Sequence, residues 1–528
     1  MTMSKNHVAM VNVINEIETI KDLIGEREFT VKVGGLKKRV KGERDFLKRE
    51  GKYSRAFKQL EEYLNMHVYG EMKQDQGTFG STNIDRAKVA DLLGKYTSVR
   101  SLAANVFSGI NNVSVAQAMN MIEAGGGQFF DRKHLRQAKV QYSKNFYGFV
   151  KDSVSEYQTN EIGVWMDSWD IFQDFNEYGV PRKSKSLAAR IAGKLTFISQ
   201  SSGEHMVQTE VALACANSHR VVDGKIMSYQ DWLIANPDKP NTKAVKKEFE
   251  STYSSVKDII TLKDGASVTT VELNEGEMSK FAERIKGVYQ YLHGNYSRGD
   301  KSALQKFALG RMVMTFRRWL EPGFQRRWAN DTFDGRESFD QRLGAKTAGY
   351  YVVTYKFLKK WFGNIKKEGM SVAMLKEEWS NLPEWRKSAI KRTMMEGLLA
   401  AATMTLLVLL GSLDGDDEDD WVKSMAIYQL HRLDSEISFY RNLGSAMEIL
   451  RSPSATMSTI EAMGDAFGLA TGPMLNFGDN WLEYETYERG KHKGKSKVGV
   501  ATKKLIPFSY QIERMMTPYD TAKYLESL

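Results

Sequence analysis

Apolar residues recur along much of this chain at alternating steps of three and four, the spacing that lines one face of an α-helix. Met10, Val13, Ile17, Ile20 and Ile24 form one such stripe, and Leu304, Phe307, Ala308, Met312, Phe316 and Trp319 form another. Trp165, Trp169, Phe172 and Phe175 mark an aromatic core face, and Tyr350, Tyr351, Tyr355, Phe357, Trp361 and Phe362 belong to a lysine-edged helix. From Met425 to Leu450 a further helix is expected, with Ile427, Leu430, Leu433, Ile437, Tyr440 and Leu443 on one side and Ser452-Pro453 as its stop. A β pattern is convincing only at 265–275, SVTTVELNEGE. The pattern predicts a mainly α, elongated multi-helical protein with long helices and hairpins and little or no sheet.

Two runs carry no charge. The first, Ser101 to Ile122, lies between Arg100 and Glu123 and contains Asn105, Asn111, Asn112, Gln117 and Asn120, each costly in lipid. It reads as a buried helical hairpin or as one wall of an assembled channel, and Gly125-Gly126-Gly127 ends it as a hinge. The second, Gly397 to Leu413, covers roughly 25 Å as a helix at ~1.5 Å per residue, the short end of what spans a bilayer core of about 30 Å. Arg386, Lys387, Lys391 and Arg392 precede it, and Asp414, Asp416, Asp417, Glu418, Asp419 and Asp420 follow. That charge order fits insertion with the basic end retained. It equally fits a buried hairpin helix whose acids form the exposed turn. Gly397, Leu399, Leu406, Leu407, Leu410 and Leu413 are the candidate membrane segment.

Breaks in these patterns suggest an organisation. An N-terminal helical, basic segment occupies 1–69, and a Gly/Gln/Ser/Thr/Asn-rich linker occupies 70–95. A helical domain follows at 96–290, then a second at 291–465 that holds the apolar hairpin helix at 397–413. A partly disordered basic tail, with RGKHKGKSKVG at 489–499, closes the chain. With 528 residues the chain can bury a large core. Its 9 prolines and 25 methionines favour long helices and adaptable apolar packing. The single cysteine, Cys215, leaves no disulfide framework, and the N-terminal twenty residues lack the apolar core of a secretion signal.

The net charge of +10 suits an anionic neighbour, nucleic acid or a lipid surface. Two stretches concentrate it. In the first, Lys37, Lys38 and Arg39 belong to a basic run over 32–58 with Phe46, Tyr53 and Phe57 interleaved. The run suits a phosphate backbone with stacking rings, or a solvated helical face. In the second, Arg311, Arg317, Arg318, Trp319, Arg326, Arg327 and Trp328 spell Arg-Arg-Trp twice, with Glu321-Pro322-Gly323 as a helix break between. Paired Arg beside Trp suits a headgroup boundary or phosphate contact. Arg–carboxylate clamps between packed helices use the same residues.

Catalytic patterns are missing: there is no Walker loop, nucleophile elbow or HExxH, and eight scattered histidines offer few acid–base carriers. His205, Glu210, Cys215 and His219 invite a metal reading, but no second ligand pair has zinc spacing. No cofactor is expected, and the sequence does not read as an enzyme.

Several longer phrases occur in a definite order: NVFSGINNVS and MIEAGGGQFFDRKHLRQA within 105–138, and HMVQTEVALA at 205–214. They continue with YLHGNYSRGDKSALQKFALGRMVMTFRRWLEPGFQRRW at 291–328, and with LHRLDSEISFY and AMEILRSPSATMSTIE within 430–461. Together they resemble the C-terminal part of the very large virion proteins of crAss-like bacteriophages and related tailed phages. The resemblance implies a cargo protein of the capsid or tail lumen, present in several copies beside other virion proteins. It also implies ejection with the genome into the host envelope or cytoplasm, with DNA and the host membrane as open partners. Some such proteins carry RNA-polymerase modules elsewhere in their length. Here Asp414-Gly415-Asp416-Asp417 lacks the leading Asp of that metal motif, and no catalytic residue carries over. Two rival roles stay open: a purely structural lining of the portal or tail lumen, and a nucleic-acid-binding module on packaged DNA.

Overall fold

The computed structural model describes residue 19 and residues 29–33, 36–40, 85–102, 106–154, 160–168, 198–260, 273–274, 276–294, 308–315, 319–333, 336–337, 339–340, 343–368, 372–412, 420–441, 455–475, 486, 494 and 496–505. Helix far exceeds strand, and the protein is mainly α. The stripe at 10–24 and the extended pattern at 265–272 lie outside the described residues, as do Trp169, Phe172, Phe175, Arg317, Arg318 and Leu413.

The chain divides into two compact units, one of residues 1–93 with 297–314 and one of residues 94–296 with 315–528. In the first, β1 (Phe29–Val33) pairs antiparallel with β2 (Leu36–Val40), in a register that sets Val33 opposite Leu36. Lys37, Lys38 and Arg39 therefore lie on a strand, not on the helical face expected for this segment. The local chemistry explains the difference. Phe-Thr-Val-Lys-Val is rich in β-forming residues, and Gly-Gly is a dipeptide that favours two-residue hairpin turns. The expected linker at 70–95 also shortens, because α1 (Arg86–Leu102) begins within it.

The second unit carries the main core. Its first part consists of α2 (Val106–Gly126), α3 (Arg132–Val154), α4 (Glu161–Ser168) and α5 (Ile198–Ser218). A short hairpin of β3 (Arg220–Val222) and β4 (Lys225–Met227) follows. Next come α6 (Tyr229–Ala235), α7 (Lys243–Thr252), α8 (Val256–Ile260) and α9 (Glu277–His293). Helix α5 is the hub: it packs on α2, α3 and α9 and is buried without a break from Val207 to Asn217. Phe129, Phe130, Tyr142, Trp165, Met166, Leu213, Phe281 and Ile285 fill the space around it. The β3–β4 turn uses Asp223 and Gly224 at φ 49° and 76°, the left-handed pair that an Asp-Gly hairpin requires.

The rest is α10 (Ala308–Met314), which belongs to the first unit, then α11 (Leu320–Trp328), α12 (Tyr350–Glu368) and α13 (Val372–Ser380). After these come α14 (Glu384–Gly411), α15 (Asp420–Ser438), α16 (Ala455–Leu475) and α17 (Lys497–Leu505). Two-residue strands β5 (Thr332–Phe333), β6 (Arg336–Glu337), β7 (Phe339–Asp340) and β8 (Ala345–Lys346) pair as two ribbons between α11 and α12.

Three expectations change here. Glu321-Pro322-Gly323 does not break a helix: it forms the first turn of α11, where a backbone N–H is unpaired anyway and proline costs nothing. The helix expected over 425–450 starts earlier, with Asp420 in the N-terminal position that suits an acid, and ends at Ser438. The tail expected to be partly disordered holds the second half of α16 and all of α17.

Gly349 sits where the chain enters α12 and crosses the end of α11. A Cβ there would meet Ala329 N, Arg327 O and Ala329 O at 2.5–2.7 Å, all backbone atoms that cannot rotate away. Gly397, on α14, has nothing within 4 Å of its Cβ position. Gly349→Ala should lower the urea midpoint by about 1–3 kcal/mol of stability, while Gly397→Ala should raise it by roughly 0.5–1 kcal/mol through helix propensity. Equal effects of the two changes would contradict the packing described here.

Candidate functional site

Helix α14 divides into two halves of different character. Ser388, Ala389, Arg392, Glu396, Ala400 and Thr403 are buried along one stripe, against α2, α12 and α15. Ala389 and Ile390 join Tyr350 and Val353 of α12, and Ala400 joins Ala118 of α2 and Ile437 of α15.

Two charges on this stripe fasten it. Arg392 donates through Nε to Glu123 Oε2 (2.8 Å) and through Nη2 to Glu123 Oε1 (3.0 Å) and Gln128 Oε1 (2.8 Å). Glu123 sits near the end of α2, and its Oε1 also accepts from Phe129 N, so the carboxylate fixes the turn after that helix. One turn along α14, Glu396 Oε1 accepts from Arg327 Nε and Nη2, both at 3.1 Å, and from the Tyr351 hydroxyl at 2.9 Å. The Tyr350 hydroxyl donates to Glu396 Oε2. Arg327 is fully buried, donates to Gly323 O and lies 3.9 Å from the centroid of the Tyr440 ring. Burial alone would lower the Arg327 pKa, but the Tyr350 and Glu396 oxygens around it hold it above its ordinary value. Arg326, its neighbour, donates to Leu292 O at 2.6 Å; burial and the Arg327 charge depress its pKa.

This geometry corrects part of the sequence reading. Arg326 and Arg327 are buried rather than facing phosphate or lipid: Arg327 is an Arg–carboxylate clamp, as the alternative reading of Arg-Arg-Trp allows, and Arg326 is held by the Leu292 carbonyl. Trp328 donates through Nε1 to Tyr440 O, and Trp319 packs edge-on against Phe439 and Tyr440. Arg311 pairs with Asp91 at 2.9 Å. Sequence reasoning assigns no site role to Glu123, Tyr350, Arg392 or Glu396, although Glu123 and Glu396 are the carboxylates that bound the two uncharged runs.

Beyond Thr403 the helix loses its cover. Met404, Leu406, Val408 and Leu409 are 48–72 % exposed, and Leu398 and Gly397 are exposed as well. Leu399, Leu407 and Leu410 are half-buried. Among the described residues α14 is the one helix long and apolar enough to cross a membrane, and only 17 % of its most apolar 18-residue window is buried. The described part of the apolar run, 397–411, is therefore covered along one stripe and bare elsewhere. The acids at 414–419 lie outside the described residues.

The suspected ligands His205, Glu210, Cys215 and His219 are strung along and just beyond α5, each within its own packing. His205 packs edge-on against Phe149, Glu210 accepts from Gln117, and the His219 Nδ1 lies 2.9 Å from the Cys215 carbonyl oxygen. Among the described residues the group of potential ligands that does converge is Asp131, His134 and Glu250. His134 lies between the two acids, Nδ1 2.9 Å from Asp131 and Nε2 3.7 Å from Glu250, and neither ring nitrogen makes a well-aligned hydrogen bond among the described residues. One ion can use only one of the two nitrogens. Lys246 and Lys133 take the remaining carboxylate positions at 2.7 and 2.5 Å, so the group is a charge clamp between α3 and α7. Burial would raise the Asp131 pKa, but His134 and Lys246 hold it well below the carboxylate range.

Comparison of the chain with protein-family models gives no match, and neither curated proteins nor solved structures supply one.

The clamp on α14 makes a direct prediction. Glu396→Gln leaves the Arg327 charge buried without its counter-ion and should cost about 3–5 kcal/mol in urea unfolding. Adding Arg327→Met removes that charge and should restore most of the loss, because the new amide oxygen can still accept from the two tyrosines. A double variant less stable than Glu396→Gln would contradict this account.

Proposed function

We propose that this chain is a non-enzymatic, membrane-contacting cargo protein of a phage virion. In this reading the bare end of α14 enters the host membrane while genome or co-packaged proteins cross the envelope. The observation that carries the reading is the exposure of Met404, Leu406, Val408 and Leu409 on a helix anchored below by buried ion pairs. A patch of that kind on a protein surface marks contact with a membrane or a partner. The phage context rests on the resemblance at 105–138, 205–214, 291–328 and 430–461. In that context the protein resides in the capsid or tail lumen among other virion proteins and reaches the host envelope on ejection.

The anchor sets how much can insert. Arg392 and Glu396 stay with the fold and Ala400 and Thr403 are packed against it, so the free charge-free part runs from Met404 to Gly411, roughly 12 Å at ~1.5 Å per residue. That is shorter than the ~30 Å hydrocarbon core. The arm therefore reaches into one leaflet only, which perturbs a bilayer without making an independent span. A purely structural lumen protein would keep the arm against fellow virion proteins instead.

Val408 is 72 % exposed, so Val408→Arg adds a charge without entering the core. It should change folding stability by less than about 0.5 kcal/mol. In lipid the same charge costs roughly 2.5–3.5 kcal/mol at a helix centre. The wild-type protein should release dye from anionic vesicles, and Val408→Arg should abolish release with an unchanged melting curve. Wild-type protein that never releases dye would favour the structural lumen role.

A further inference from the structure

A second surface, away from the arm, has the chemistry of a phosphate-binding groove. A cleft of about 630 Å³ opens beside α3, between that helix and the segments around β3 and α8. Its walls carry Lys133, Arg136 and Lys144 from α3, Arg220 from the start of β3, and Lys257 from α8. The acid in the wall, Asp258, is engaged by Lys257 (3.2 Å) and by the Ser255 hydroxyl (2.6 Å). Behind the wall, Glu250 is held by Lys133 at 2.5 Å. Arg136 and Lys144 are exposed and have no ion-pair partner among the described residues.

Arg220 gives the groove a fixed cation. Its residue is buried, and Nη1 donates to the Asn217 and His219 carbonyls at 2.7 and 3.0 Å. Among the described residues nothing accepts from Nη2. A guanidinium held by backbone carbonyls with one edge toward a cleft is pre-organised for an anionic oxygen.

The arrangement along α3 indicates which anion. Lys133, Arg136, Val140, Lys144 and Tyr147 follow at steps of three, four, four and three, so they share one helix face. From first to last the stripe covers roughly 21 Å at ~1.5 Å per residue. The Tyr147 ring that ends it is 80 % exposed, and Gln137 and Gln141 add amides to the wall. Cations that track a backbone, with an exposed ring beside them, match the stacking-and-groove recognition of single strands. A flat lipid surface uses neither a concave wall nor a lone ring at its end. We propose that this cleft binds the phosphodiester backbone of a single-stranded nucleic acid, with Tyr147 stacking on a base. The site is independent of the arm on α14.

The test uses the full chain and a fluorescein-labelled twelve-residue oligo(dT), read by anisotropy across a salt series. Wild type should bind at low salt. Arg136→Ala with Lys144→Ala should weaken binding about tenfold or more and flatten the log K against log salt slope by about 1.4, two phosphates' worth for a single strand. Tyr147→Ala should weaken binding about five- to a hundredfold while keeping the slope. Lys239→Ala with Lys359→Ala removes the same charge from exposed positions outside the cleft and should lose less than about threefold. Val408→Arg should bind like wild type, which separates this site from the membrane arm. Circular dichroism should match wild type throughout, since Arg136, Lys144 and Tyr147 are exposed. No binding of oligo(dT) by wild type, or an equal loss in the control variant, overturns the proposal. So does duplex binding that Tyr147→Ala does not touch, or a cleft variant that loses anionic vesicles but keeps oligo(dT).

Discussion

A buried guanidinium without a counter-ion is among the most destabilising groups a core can hold, and this fold contains two that are matched by carboxylates from distant parts of the chain. Arg327 is matched by Glu396 and Arg392 by Glu123. Both pairs run through α14, one turn apart, so the helix is held in register against α2 on one side and against α11 and α12 on the other. Ion pairs of this kind add little net stability over a hydrophobic replacement, but they penalise any misplacement of the helix heavily. The aromatic shell of Tyr350, Tyr351 and Tyr440 completes the oxygen and ring environment that the charges need.

Because the anchor is confined to the first half of α14, the second half is free to be something other than core. A helix as apolar as Gly397–Gly411 normally ends up covered, and here only the stripe through Ala400 and Thr403 is. The exposed residues are large and aliphatic, and the helix beneath them is rigidly mounted. A rigid mount lets an apolar arm meet a membrane without unfolding the body that carries it. In the proposed membrane-contacting role it would also limit the depth of insertion, since withdrawing Glu396 from Arg327 would cost more than the extra turn of apolar helix returns.

The helices were legible because periodicity is a local property, and 106–122 and 397–411 of the two apolar runs do lie in α2 and α14. The clamps were not, because their partners are remote: 269 positions separate Arg392 from Glu123, and 69 separate Arg327 from Glu396. From sequence, Arg-Arg-Trp looks the same at a lipid headgroup and in a core, and only burial separates the two. The hairpins at 29–40 and 220–227 were missed for another reason. Gly34-Gly35 and Asp223-Gly224 are both two-residue turn signals, but the strands that flank them are only three to five residues long, too short for an alternating pattern to stand out. The groove beside α3 needed the fold as well, since Arg220 and Lys257 come to it from other elements.

The division of α14 into a clamped half and a bare half can be read residue by residue. The chain's lone cysteine, Cys215, is buried, so single cysteines introduced along α14 report on their own positions. Maleimide labelling of Ala400→Cys, Thr403→Cys, Leu406→Cys, Val408→Cys and Leu409→Cys should be slow at 400 and 403 and fast at the last three in buffer. With anionic vesicles present, 406, 408 and 409 should become protected while 400 and 403 stay slow. Protection at 408 in buffer alone, or full reactivity there with vesicles in excess, would contradict the account.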